Sequence, residues 1–147
     1  MDPTLPAGPA LIRIAALVTD RYELISGELG VDFRTGRLLV AVSRTPQTVG
    51  ELGRYVRVGK STMTGVLARL VSSGLVVRAP DPRDRRASLI TPTERGREIA
   101  EALVMRVRAE VLRLLEPVER QDRERLAALL QSILDAADAA DGLLPLE

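Results

Sequence analysis

Apolar residues recur at helical intervals over most of this chain, and one stretch sets the arrangement of the rest. From Gly59 to Gly74, GKSTMTGVLARLVSSG, the positions Met63, Val66, Leu67, Leu70 and Val71 form an inward stripe, while Lys60, Ser61, Thr62, Thr64, Gly65, Ala68 and Arg69 face outward. The outward set is small, polar and basic. Hydroxyls and a cation near the N-terminus, with no bulky branched side chain on the approach face, are what a helix entering the DNA major groove requires. Gly59 suits the N-cap and leaves the first amides open to a phosphate, and Gly74 suits the residue that ends the helix. Taken alone, the stretch reads more simply as an ordinary amphipathic surface helix, and it is what surrounds it that reverses the preference.

Upstream, Leu11, Ala15, Val18, Tyr22, Ile25 and Leu29 predict a long helix ending near Gly30. Ile12, Ile14, Ala16, Leu17 and Leu24 add a second apolar strip, more than one intrachain contact needs and fitting a helix shared with a second subunit. Asp32 can cap a second helix through about Ser43, with Leu38, Leu39 and Val42 inward, before Thr45 and Pro46 end it. Thr48 and Glu51 form a capping box for a short helix carrying Val49, Leu52, Tyr55 and Val56. The link Arg57-Val58-Gly59 then gives this helix and the next the spacing of a helix-turn-helix.

Beyond Gly74 the period changes from helical to extended. Leu75 to Ala79 and Ala87 to Thr91 read as the strands of a hairpin, with DPRDRR at its tip. Three arginines on one loop can reach a narrow minor groove, and the interleaved aspartates can hold the loop in shape. A charged solubilising turn is the plainer alternative. Thr93 caps a helix through Ile99, Leu103, Val107, Val111 and Leu114 to Pro117, and a last helix carries Leu126, Leu130, Ile133, Leu134 and Ala137.

Charge sharpens this picture once it is split along the chain. The formal net charge is +1, yet residues 50–100 hold ten Lys/Arg against five Asp/Glu, so the middle is basic while the remainder, with 11 basic and 15 acidic residues, is not. With neither cysteine nor histidine, the chain has no disulfide, no thiolate metal site and no imidazole base, and neither cofactor nor metal is expected. No basic leader and no apolar run long enough to cross a bilayer can be read, so a cytoplasmic protein without membrane association is expected.

The order of elements, with TVGEL, GKSTMTGVLARLVSSGLVVR, DPRDRR and TERG in sequence, resembles the MarR family of bacterial winged-helix regulators, specifically from Val31 to about Gly96. The resemblance implies a mainly α fold with a small β-hairpin wing, a winged helix-turn-helix plus long dimerisation helices. It implies one domain over 1–147, with dimerisation helices at 10–30 and 93–141 and a DNA-binding lobe at 31–92. It also implies a homodimer on pseudo-palindromic operator DNA, released or retained by a small-molecule ligand in a cleft between the helices and the lobe. On this reading Lys60, Ser61, Thr62, Thr64, Arg69, Arg83 and Arg85 contact DNA, while Asp84 and Arg86 brace the wing. Tyr22, Phe33 and Tyr55 are the aromatic surface for an aromatic or amphipathic effector. Two positions depart from the family pattern: Gly65 stands where a base-reading arginine is common, and Pro92 where leucine is usual. Missing cysteine sets the chain apart from the peroxide-sensing branch, and missing histidine from the metal-sensing one.

The function expected is a ligand-responsive transcriptional repressor. The alternative is a winged-helix adaptor that binds protein and has lost operator recognition, for which Gly65 is the main ground. An enzyme is not expected: Asp81 and Asp84 sit among arginines that hold them ionised, and no general base accompanies Ser61 or Thr62.

Overall fold

A computed structural model describes residues 5–82, 84 and 86–141. Its helices are α1 (Ala7–Glu28), α2 (Phe33–Arg44), α3 (Val49–Tyr55), α4 (Lys60–Ser72), α5 (Glu94–Leu114) and α6 (Arg120–Asp141). Three strands, β1 (Gln47–Thr48), β2 (Val76–Pro80) and β3 (Ser88–Pro92), form an antiparallel sheet in the order β1-β3-β2. The chain divides into two compact units, Met1–Glu110 and Val111–Glu147.

Local chemistry sets most of the boundaries. Asp32 caps α2, its carboxylate accepting from the Thr35 N–H at 2.8 Å and the Thr35 hydroxyl at 3.0 Å. Partial burial of Asp32 opposes ionisation, but these bonds, with help from Arg34, outweigh it and hold the carboxyl below its usual range. Thr48 and Glu51 make the full capping box of α3, the Thr48 N–H and hydroxyl donating to the Glu51 carboxylate at 2.7 and 2.8 Å. Thr48 has a second task that the sequence did not reveal, since with Gln47 it pairs against Leu89 and Ile90 as a third strand.

The core of the first unit joins α2, α3, α4, the sheet and the start of α5. Leu38, Leu39, Leu52, Met63, Ile90 and Leu103 are almost wholly enclosed, and Gly96 and Ala100 let α5 approach closely. A Cβ at Gly96 would overlap the Leu75 carbonyl oxygen, so only glycine fits there.

The long helices differ from this core. Of the expected inward stripe of α1, Ile25 is buried and Val18, Tyr22 and Leu29 are half-buried, but Leu11 and Ala15 are exposed. The reason is reach: α2 meets α1 near Tyr22 and Ser26, toward the end of the helix, and residues 11–17 stay exposed. Ile12, Ile14, Leu17 and Leu24 are exposed as well. Arg106 pairs with Glu28, and Arg21 lies 3.9 Å from Glu110. In the second unit, Leu129, Leu130, Ile133 and Leu134 of α6 are exposed. Among the described residues no helix is long and apolar enough to cross a membrane.

Candidate nucleic-acid interface

The short turn between α3 and α4 fixes how the outward face of α4 is presented. α3 closes with the Arg57 N–H donating to the Arg54 carbonyl at 3.1 Å and the Val58 N–H to the Gly53 carbonyl at 2.9 Å. That bond pair is a Schellman ending, and its left-handed residue is Arg57 at φ 55°. α1 and α4 end in the same way, but with Gly30 and Gly74 in the left-handed position. A Cβ on Gly53 would stand 3.1 Å from the Val58 carbonyl, so the turn leaves little room there. The sequence pattern missed the strained arginine because no glycine marks it.

α4 is anchored by one face and offers the other. Met63, Val66, Leu67 and Leu70 are buried, whereas Lys60, Ser61, Thr62, Thr64 and Arg69 are all exposed. Val71, expected inward, is 42% exposed, because at the helical repeat it falls at the edge of the stripe set by Met63, Val66, Leu67 and Leu70. The Thr64 hydroxyl donates to the Lys60 carbonyl at 2.8 Å, so its one proton is engaged within the helix. Gly65 has open space where a side chain would start. No side chain caps the start of α4 at Gly59.

The TERG motif clamps the other end of α4. The Thr93 hydroxyl donates to the Gly74 carbonyl at 2.7 Å and accepts from the Gly96 N–H at 3.1 Å, while the Thr93 N–H donates to the Leu75 carbonyl at 3.0 Å. One residue thus caps α5 and satisfies carbonyls at the exit of α4. In the wing, β2 and β3 pair from Val76 opposite Pro92 to Pro80 opposite Ser88. The Asp81 N–H donates to the Ala87 carbonyl at 3.1 Å, and the Ala87 N–H to the Asp84 carbonyl at 2.9 Å. The Asp84 carboxylate accepts from the Arg86 backbone N–H at 2.9 Å, so this contact runs through the Arg86 main chain. Asp81 is buried at the base of the tip. Arg83 and Arg85 lie outside the described residues.

Tyr22, Phe33 and Tyr55, far apart in sequence, come together around a residue that sequence reading did not single out. The Tyr22 and Phe33 rings meet edge to face at 5.0 Å, and the Arg37 guanidinium lies 5.8 Å from the Phe33 centroid and 4.8 Å from that of Tyr55. Burial, then the neighbouring Tyr55, pushes the Tyr22 phenol well above its usual pKa despite Arg37, so it stays protonated. The available signal was spacing, since Arg37 follows Phe33 by one helical turn. A hollow of about 600 Å³ that shares Phe33 with this cluster lies between the start of α2 and α4, lined also by Asp32, Arg34, Arg69, Leu70 and Ser73 among others.

Comparison with known proteins places this architecture. Residues 29–87 match the sequence profile of the MarR family. The HTH-type transcriptional repressor Rv2887 of Mycobacterium tuberculosis is 31% identical over 129 residues, covering 84% of this chain and 93% of its own length. A crystal structure of that protein with salicylic acid has a TM-score of 0.67 at 25% identity, over 90% of this chain and 99% of that one. The transcriptional activatory protein BadR of Rhodopseudomonas palustris is 36% identical over 89 residues, 60% of this chain and 51% of BadR, so the match spans about half of that relative. Wild-type MarR of E. coli shares the fold at a TM-score of 0.72 and 24% identity, over 90% and 99% of the two chains. With a helix-turn-helix, a wing between it and two long C-terminal helices, and a near full-length relative, this chain belongs to the MarR family of transcriptional regulators.

Proposed function

We propose that the chain is a ligand-responsive repressor that binds pseudo-palindromic operator DNA as a homodimer. The observation that carries this is the division of α4: its apolar face is consumed by the lobe, while Lys60, Ser61, Thr62, Thr64 and Arg69 stand together on the exposed face. Such a helix can lie in a major groove with Thr62 and Thr64 toward base edges and Arg69 toward a phosphate. Arg83 and Arg85 supply minor-groove contacts, and Asp84 shapes the loop that carries them. The exposed leucines and isoleucines of α1, and separately those of α6, serve dimerisation, with 10–30 and 93–141 as dimerisation helices and 31–92 as the DNA-binding lobe. Repression is favoured over activation because the relative that is matched over 93% of its length is named a repressor.

The effector reading rests on the ring cluster. An aromatic carboxylate fits a site that offers a guanidinium between aromatic faces and a protonated phenol, and the mycobacterial relative was crystallised with salicylic acid. Gly65 favours one other reading, an adaptor without operator recognition, since that position offers no side chain to a base.

Selection of duplexes from a random library, followed by salt-titrated gel shifts, tests the proposal. A selected duplex should outbind a scrambled one by at least about a thousandfold. Equal binding of both would leave the adaptor reading. Salicylate at millimolar concentration should raise Tm and release the duplex, and Arg37→Met should remove both effects; a release that survives Arg37→Met would place the effector elsewhere.

A further inference from the structure

At the far end of the wing, a serine follows the arginines at a fixed spacing. The sequence runs Arg85-Arg86-Ala87-Ser88-Leu89, which puts two arginines at the third and second places before the serine and an aliphatic residue directly after it. Ser88 begins β3 and stands opposite Pro80, on the rung nearest the tip. Proline has no N–H to give the ladder, so this rung has one donor fewer than the rung beside it. Ser88 is half-buried, and Arg86 ahead of it is exposed. One place further along the same face, the exposed Arg78 stands opposite Ile90 and therefore diagonal to Ser88. Such diagonal neighbours lie about 7 to 8 Å apart, within reach of a long side chain. From residue 78 to residue 88 the wing holds four arginines against two aspartates, a net +2.

We propose that Ser88 is a phosphorylation site for a serine kinase that selects arginine before its target, and that the phosphate switches off the positive charge of the wing. An acidic kinase groove takes an extended segment with paired arginines, and the end of a β-strand is already extended. In the transfer, the Ser88 oxygen bonds to the γ-phosphorus of ATP as the bond from that phosphorus to the β–γ bridging oxygen breaks. ADP leaves, and the hydroxyl proton passes to the base of the kinase. The phosphate brings roughly −1.5 to −2 at neutral pH, which cancels most or all of the net charge of the wing. Its oxygens also offer Arg78 and Arg86 charge-assisted hydrogen bonds, and a guanidinium drawn to them is withdrawn from DNA. The modification stands apart from the DNA-binding reading above; its consequence for operator affinity rests on that reading.

The test uses the full chain, ATP with Mg²⁺ and a purified serine kinase that selects arginine at the second and third places before its target. Mass spectrometry should find one phosphate on the tryptic peptide Ala87–Arg95, carried by Ser88 and not by Thr91 or Thr93. Ser88→Ala should take up none there and keep the Tm of the parent, and Arg86→Gln, which retains the serine, should be labelled severalfold more slowly. The phosphorylated chain should bind a duplex selected from a random library and a scrambled one more weakly by the same factor. Its slope of log K against log salt should lose about one to two units. Phosphate on Thr91 or Thr93 with Ser88 unmodified overturns the site, as does a folded chain that stays unlabelled while a peptide of residues 83–91 is labelled. Labelling at Ser88 that leaves affinity and slope unchanged overturns the switch. A parent that binds neither duplex overturns the DNA-binding reading, and labelling at Ser88 would stand without it.

Discussion

α4 and α1 are both amphipathic helices rich in aliphatic residues, yet they end in opposite conditions. Every large apolar residue of α4 except Val71 is enclosed by the lobe, whereas α1 encloses Ile25 and leaves Leu11, Ile12, Ile14, Leu17 and Leu24 in solvent. The core that α4 needs is supplied by its own chain. What α1 needs is not, and an exposed apolar strip of that extent marks an association surface. The same hydrophobic pattern thus means a finished contact in one place and, on the proposed homodimer, half a contact in the other.

Placing a charge on the unfinished side should do the most damage. Leu17→Glu, in the exposed strip of α1, should turn a dimer into a monomer by light scattering at micromolar concentration and abolish operator binding, because two half-sites are then no longer held together. The far-UV spectrum and Tm of the lobe should change little. A Leu17→Glu protein that stays dimeric would remove α1 from the proposed interface.

On the finished side, the largest effect belongs to Gly96. Gly96→Ala drives a Cβ into the Leu75 carbonyl, and since backbone cannot rotate away as a side chain can, a loss of at least about 3 kcal/mol is expected in urea unfolding. Less than about 1 kcal/mol would mean that α5 shifts freely against the lobe.

A middle-sized effect comes from the cap of α2. Asp32→Ala should cost about 1 kcal/mol at neutral pH. The folded carboxyl is held below its unfolded value of about 3.9, so its contribution is present above that pH and lost as pH falls through the folded pKa. The stability gap between parent and variant should therefore close in acid. A gap that persists at pH 2 would show that the side chain acts through packing.

The smallest effect tests the contrast most finely. Gly27 lies within α1 with open space around it, so Gly27→Ala should stabilise the chain by roughly 0.5 to 1 kcal/mol through helix propensity alone. Weaker dimerisation instead would show that a partner covers this face as closely as α5 covers the lobe.

The same contrast explains what could be read from the sequence. The stripe Met63, Val66, Leu67, Leu70, the capping box at Thr48 and Glu51, and the glycines at 30 and 74 each express a rule satisfied within a few residues, so the start of α3, the whole of α4 and the end of α1 were legible. β1 was not, because two residues carry no periodicity and their partners, Leu89 and Ile90, lie beyond the helix-turn-helix. Leu11 and Ala15 were expected inward because periodicity reports a buried face without saying which molecule buries it. In the candidate interface, the α4 residues were legible as a set because the opposite face was so plainly apolar. Arg37 and Arg57 were not, since an arginine in an amphipathic helix or a turn reads as solvated until the rings or the backbone angle around it are known.

The pairing of Gln47 with Ile90 also bears on the order in which the lobe assembles. It closes a loop that contains α3, α4 and β2, and holding the ends of some forty residues together costs about 3 kcal/mol in chain entropy. Two residue pairs at a sheet edge do not repay that by themselves, whereas α3 and α4 are neighbours in sequence and meet cheaply. β1 should therefore be drawn tight only after the helices and hairpin have condensed, and its pairing with β3 should be the first part of the sheet to open to hydrogen exchange, while the Thr48 amide stays held by Glu51.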